Sequence, residues 1–265
     1  MIKALSEKEL YIFDMDGTIY LGNRVFDAAV DMIGLLRSEG KKILFFTNNA
    51  SHSPKFYIDK LSRLGFAPTP DEILTSGNVT IEFLKRHRAG KKVYLVATPE
   101  LEEQFGEAGI GLLPHDAASA DIVITSFDTT LTYQKIERAC TFIRGGAEYL
   151  CTHPDFNCPT ETGFIPDSGA IAALVTASTG IRPTYFGKPY AETIAMIEEV
   201  TGVSREKMCV FGDRLYTDIA LGKKHGVTSV LVLSGETTEA DLNAADASDR
   251  PDYVYADLGA VMEDS

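Results

Sequence analysis

No apolar run in this chain approaches the roughly 18 residues that a helical membrane span requires. The amino-terminal stretch Met1 to Glu9 is too polar for a secretory signal. Neither a membrane protein nor an exported one is expected, and the reading is cytoplasmic. Positive charge is also scarce: 25 Lys and Arg stand against 38 Asp and Glu, a net charge of −13. Such a surface repels polyphosphate backbones and anionic lipid headgroups at long range, so neither nucleic acid nor membrane is an expected partner. A phosphorylated ligand would have to be captured by a local cluster of cations and backbone N–H groups. Cysteine is sparse and unpatterned, with Cys140, Cys151, Cys158 and Cys209 forming no C-x-x-C pair and no His at zinc-finger spacing. Free thiols in a reducing compartment are the simplest expectation. The sequons Asn49-Ala50-Ser51 and Asn78-Val79-Thr80 are then chance matches. There is no internal repeat and no low-complexity tract.

What is present is an ordinary globular composition, 45% hydrophobic and 24% charged over 265 residues, which fits one large domain or two intimate ones. Short β-rich runs alternate with helical patterns along nearly the whole chain, the signature of βαβ units around parallel sheet. Strands are predicted at 10–13, 42–47, 93–97, 122–125, 148–152, 184–186, 208–211 and 229–233. A helix capped by Asp27 and stopped by Gly40 lies between the first two, after a turn at Leu21 to Arg24 in a small hairpin. Another opens at Ser53-Pro54 and closes at Gly65. Further helices are expected near 81–86, 133–144, 170–178, 191–200 and 218–225. The stretches 154–169 and 235–252 read as loop, the latter with a short helix.

The chemistry concentrates at Phe13-Asp14-Met15-Asp16-Gly17-Thr18, where two carboxylates follow an apolar strand. Ligands of open α/β sheets sit at that end. At spacing i, i+2 both side chains point to one side of an extended chain, and Gly17 permits the turn that leaves it. A structural or calcium-binding turn, or a receiver-type phosphoacceptor, would use the same pair. Thr47-Asn48-Asn49 follows the second strand and supplies a hydroxyl and successive N–H groups, a cradle for an anion. Lys188 follows 184–187, and Gly212-Asp213 through Asp218 follows 208–211. Each feature alone is ordinary turn or capping chemistry. Four in order at strand ends are a site. His87, His115 and His225 read as surface or capping residues and Tyr216 as packing. The pairs Gly109/Gly111 and Gly145-Gly146 lack the rest of a dinucleotide fingerprint.

In order, Asp14-Met15-Asp16-Gly17-Thr18, Thr47-Asn48-Asn49, Lys188-Pro189 and Gly212-Asp213…Asp218 resemble the four motifs of the haloacid dehalogenase (HAD) superfamily. The run Gly212 to Ile219 and the long insertion are similar to subfamily IIA, the NagD-like and p-nitrophenyl phosphatase branch. His52 and His153 stand where that branch often has Arg and Asn. The resemblance implies an α/β fold, a Rossmann-like parallel-sheet HAD core at 1–76 and 183–265 with an inserted α/β cap domain at 77–182 that sets substrate selectivity. It implies a phosphoric monoester hydrolase acting on a small phosphorylated metabolite, such as a sugar phosphate or nucleotide monophosphate, through an aspartyl-phosphate. Asp14 would be the nucleophile and Asp16 the general acid and base. Lys188 would offset negative charge, and Thr47 with Asn48 would hold the phosphoryl group. Gly17, Thr18, Asn49, His153 and Asp155 are the further substrate-binding candidates. The cofactor implied is Mg2+, held by Asp14, the Asp16 carbonyl and Asp213, with Asp218 acting through water or by orienting its neighbours. A homodimer is compatible with this reading. A dehalogenase is disfavoured by Asp16, Asp213 and Asp218, whereas a phosphotransferase or mutase, or a non-catalytic phosphometabolite sensor, stays open.

Overall fold

The computed structural model describes residues 1–160 and 163–264. Two compact units emerge. The first joins Met1–Thr47, Pro54–Leu74 and Lys188–Ser265, and the second joins Asn48–Ser53 and Thr75–Gly187.

The first unit is built on a six-stranded sheet in the order Tyr253–Tyr255, Thr228–Val232, Met208–Gly212, Leu10–Phe13, Lys42–Thr47, Ile73–Thr75. Leu10–Phe13 lies at its centre, parallel to both neighbours and buried along its whole length. A strand covered on both faces reads as a continuous apolar run and not as an alternating one, and Leu-Tyr-Ile-Phe is such a run. The register pairs Phe13 with Phe211 on one side and Phe45 on the other. The Phe13 and Phe211 rings stack with centroids 4.8 Å apart. Residues that follow these three strands therefore leave the sheet at one edge, level with one another.

The expected hairpin forms, Tyr20–Leu21 against Arg24–Val25. Helix Pro54–Arg63 begins at the expected proline, and Gly65 turns the chain out of it at φ +94°. Helix Ala29–Ser38 does not use Asp27 as its cap: Ala28 holds the N-cap position with φ +63°. The acidic stretch after Gly235 contains a short helix as expected, Glu239–Ala244, and the structure shows it capped reciprocally by Thr238 and Asp241.

The second unit carries its own parallel sheet, ordered Thr184–Tyr185, Glu148–Cys151, Ile122–Thr125, Val93–Val96. Tyr94, Val123 and Tyr149 of the sheet form the core with Phe142 and Ile143 of helix Tyr133–Arg144 and Ile171 and Val175 of helix Ser168–Thr179. Two elements here were not expected. Helix Pro99–Glu107 starts from a Thr98 cap with proline at its first turn. The segment expected to be loop contains an antiparallel pair, Asn157–Thr160 with Gly163–Pro166. Among the described residues no helix is long and apolar enough to cross a membrane.

Candidate active site

Asp14 is the first residue beyond the central strand, and its N–H donates to the Phe211 carbonyl at 2.8 Å, which fixes it to the neighbouring strand. Lys188 Nζ lies 2.5 Å from Asp14 Oδ1, 2.7 Å from Asp218 Oδ1 and 3.2 Å from the Phe46 carbonyl. The lysine is 2% exposed. Burial alone would lower its pKa, but the charges and hydrogen bonds of Asp14 and Asp218 outweigh that and hold it above the ordinary range. It is a fixed ammonium.

Asp213 follows strand Met208–Gly212 and is 1% exposed. Its Oδ2 accepts the Glu236 N–H at 2.6 Å, while its Oδ1 is buried with no hydrogen-bond partner among the described residues. Asp218 lies in a π-helical turn, Leu215–Ile219, that runs into helix Ala220–His225. Single-turn π segments recur at functional sites because they re-aim one side chain. Asp218 Oδ2 also accepts the Arg214 N–H at 3.2 Å. One carboxylate oxygen each from Asp14, Asp213 and Asp218 falls within 4.8 Å of the others.

Three carboxylates face the Lys188 ammonium and feel the Arg214 guanidinium, which also pairs with Glu236, so negative charge is in excess. Burial raises the pKa of both Asp14 and Asp213; Asp218 raises both further, and Lys188 pulls both back. The unpartnered Asp213 oxygen and this surplus are what a hard divalent cation with oxygen ligands would satisfy. The residues fit such an ion.

Backbone packing presses the loops together. Gly17 has φ +94°, and a Cβ there would run into the Asp213 carboxylate. A Cβ on Gly235 would meet the same carboxylate, and one on Gly212 would meet Asp218. Ser234 Oγ donates to the Gly17 carbonyl at 2.9 Å, and the Thr237 N–H donates to the Asp213 carbonyl at 3.1 Å. Residues 234–237 thus clasp both acidic loops. The sequence reading placed no function there, since the contacts are mostly made by backbone groups that every residue type carries.

Asp16 has a half-exposed carboxyl that accepts the Tyr20 hydroxyl at 3.2 Å, with Lys60 Nζ at 3.8 Å. Thr18 is buried and its hydroxyl has no partner among the described residues. Thr47 ends strand Lys42–Thr47 at the same edge of the sheet.

The remaining candidates lie in the second unit. Asn48 Nδ2 donates to Asp155 at 3.2 and 3.4 Å. Asn49 Oδ1 accepts the N–H and the hydroxyl of Ser51 at 2.9 and 2.6 Å, an Asx-type turn. His153, expected to contact a leaving group, is fully buried, and its Nε2 lies 2.8 Å from Asp167 Oδ1. His225, the last residue of helix Ala220–His225, is half-buried and its Nε2 meets the Pro189 carbonyl at 2.8 Å, a tertiary contact and not a cap of its own helix.

Residues 11–111 match the family model for haloacid dehalogenase-like hydrolases, and residues 185–261 match a second HAD-hydrolase-like model. An acid sugar phosphatase of Staphylococcus saprophyticus is 31% identical over 254 residues, covering 96% of each chain. Among solved structures, a 4-nitrophenylphosphatase from Thermotoga maritima superimposes with a TM-score of 0.92 at 39% identity, over 99% of both chains. A glycerol phosphate phosphatase from Mycobacterium tuberculosis, in complex with magnesium, gives a TM-score of 0.89 at 29% identity, over 98% of this chain and 78% of that one.

Proposed function

We propose that this chain, which belongs to the haloacid dehalogenase-like hydrolase family, is a magnesium-dependent phosphatase of small phosphorylated metabolites, sugar phosphates or nucleotide monophosphates. The observation that carries the reading is the pair Asp14 and Lys188. A carboxylate at the end of the central strand is held by a buried ammonium, beside an Asp213 oxygen with no partner of its own. Asp14 is the nucleophile: one oxygen is held by Lys188, and the other attacks phosphorus, forming an aspartyl-phosphate as the bond to the leaving oxygen breaks. Lys188 keeps its proton and neutralises charge on the nucleophile and the phosphoryl oxygens.

Asp16 gives a proton to the leaving oxygen and later takes one from the water that hydrolyses the aspartyl-phosphate. Tyr20 and Lys60 keep its carboxyl oriented. Thr47 and the Asn48 amide hold the phosphoryl group. Asp14, Asp213 and the Asp16 carbonyl would hold Mg2+, which when bound supplies charge to the phosphoryl oxygens. Asp218 orients Lys188 and closes the Arg214 turn. The names of the relatives, all phosphatases of small esters, support the substrate class. The second unit supplies selectivity among leaving groups. That Cys140, Cys151, Cys158 and Cys209 form no disulfide suits a reducing cytoplasm.

Turnover of p-nitrophenyl phosphate tests the reading. Activity should vanish in excess chelator, return with magnesium, and be absent in Asp14→Asn, whose amide is nearly isosteric but a poor nucleophile. Near wild-type hydrolysis by Asp14→Asn would end the covalent mechanism. Transfer of phosphate to an added alcohol, in place of release to water, would make the protein a phosphotransferase.

A further inference from the structure

The ring of His153 is enclosed within the second unit, 0% exposed, just after strand Glu148–Cys151. Nε2 faces the Asp167 carboxylate at 2.8 Å, and that carboxylate also accepts the Ser168 N–H at 2.6 Å as a helix cap. On the other side, Nδ1 lies 3.0 Å from Thr152 Oγ1 and 3.3 Å from Ser76 Oγ. Both of those hydroxyl protons are committed elsewhere. Ser76 donates to the Asn48 carbonyl at 2.5 Å, and Thr152 donates to Ser126 Oγ at 2.8 Å. A neutral imidazole has one donor and one acceptor nitrogen. Neither nitrogen here is offered a proton to accept. Both must donate.

We propose that His153 is a standing imidazolium paired with Asp167, and that this pair is a positioning device which holds Ser76, and through Ser76 the Asn48 carbonyl. The functional meaning rests on the phosphatase reading, in which the Asn48 amide binds the phosphoryl group. Asn48 is fixed from three directions: its carbonyl by Ser76, its side-chain amide by Asp155, and its Oδ1 against Gly187, where a Cβ would approach to 2.7 Å. Asp167 and Asp155 are the charged groups that face the ring, and the Cys151 thiol donates to the His153 carbonyl at 3.2 Å. Burial alone would lower the His153 pKa; the charge and hydrogen bond of Asp167, and then the charge of Asp155, carry it above the ordinary value instead. A carboxylate removed from a buried pair leaves an uncompensated charge, so the two members depend on each other.

Imidazole nitrogen resonances of the 15N-labelled protein read the protonation state directly. The chain has five histidines. Single Gln variants at His52, His87, His115 and His225 assign the other four and leave His153 by elimination. The expected result is two protonated ring nitrogens from about pH 5.5 to about pH 8, across the range where ordinary histidines titrate. A neutral tautomer at about pH 7.5 would overturn the proposal.

Ser76→Ala removes the middle link without touching the ion pair, and Asp167→Asn removes the counter-charge. In both, amide deuterium exchange over residues 48–53 should quicken by about tenfold or more. With p-nitrophenyl phosphate, kcat should fall about tenfold with KM little changed, as expected when positioning and not ground-state binding is lost. If Asp167→Asn does not fold, Ser76→Ala and the wild-type resonances still decide the matter. Unchanged exchange and kcat in Ser76→Ala would overturn the positioning role. Should the wild type hydrolyse no phosphate ester at all, the phosphatase reading fails, while ring protonation and exchange still test this one.

Discussion

At Asp16 the carboxyl is half exposed yet shifted: burial raises its pKa, and Lys60, the Tyr20 hydroxyl and Arg214 only partly offset that. An acid that keeps its proton closer to neutrality is suited to protonating an alkoxide leaving group. Asp16→Asn should lower kcat with alkyl phosphates by about 10²- to 10⁴-fold. With p-nitrophenyl phosphate, whose leaving group needs little protonation, the loss should be smaller, and an equal loss across leaving groups would count against the role. Gly17→Ala probes packing instead. Its φ of +94° and the Asp213 carboxylate in the path of a Cβ make alanine costly, about 1–3 kcal/mol of strain before any relaxation. The expected outcome is a lower Tm and a higher magnesium concentration for half-maximal activity. The charged residues that the structure brings together, Asp14, Lys188, Asp213 and Asp218, were marked in the sequence because charged groups that follow apolar strands are expensive unless used. Ser234 and Glu236 were not, because Glu236 acts through its N–H and Ser234 through a single hydroxyl in a turn. Asp167 was hidden for a related reason: a helix cap is so common a use of Asp that the second bond, to His153, leaves no mark in the sequence.

Among elements, those with strong punctuation were legible and those shaped by tertiary context were not. Helix Pro54–Arg63 was found from its proline and its closing glycine, and the central strand from its unbroken apolar run. The π-helical turn Leu215–Ile219 has no sequence signature; it forms where the chain must aim Asp218 at Lys188. The pair Asn157–Thr160 and Gly163–Pro166 was missed because prolines at 159 and 166 break the pattern and Phe164 and Ile165 are both exposed, so no period-2 alternation marks a buried face. Helix Pro99–Glu107, by contrast, carried a readable signal, Thr98 followed by Pro99, with the Thr98 hydroxyl accepting the Leu101 N–H at 3.4 Å. Thr98→Ala should therefore cost about 1 kcal/mol of stability, the usual worth of a threonine cap. Chemical denaturation would show a lower midpoint with an unchanged m-value. Turnover of p-nitrophenyl phosphate should stay at the wild-type rate, since this helix carries none of the catalytic groups.

Across the whole molecule, the acidic surplus at the end of the central sheet ties stability to pH and to metal together. Asp14 and Asp213 have folded-state pKa values raised above the ordinary 3.8. Between that value and the raised ones, the folded chain binds more protons than the unfolded chain. Stability then falls as pH rises through the window, because the slope of unfolding free energy with pH follows protons bound in the unfolded state minus those bound in the folded state. Lys188 contributes nothing to this slope near neutrality, since its own pKa is raised and it stays charged throughout. Magnesium should act with the opposite sign. A divalent ion takes ionised carboxylates as ligands, so its binding displaces the protons that burial retains, and its affinity grows as they leave. In chelator, the contribution of this cluster to Tm should therefore decline from about pH 5 to about pH 7.5. The gain in Tm on adding magnesium should be larger at the higher pH. In Asp213→Ala both effects should shrink, because one raised carboxyl and one ligand are lost in the same substitution. Thermal unfolding at two pH values, with and without magnesium, for wild type and this variant separates the outcomes. A magnesium-induced rise in Tm that is equal at both pH values, or that survives intact in Asp213→Ala, would place the ion elsewhere in the molecule.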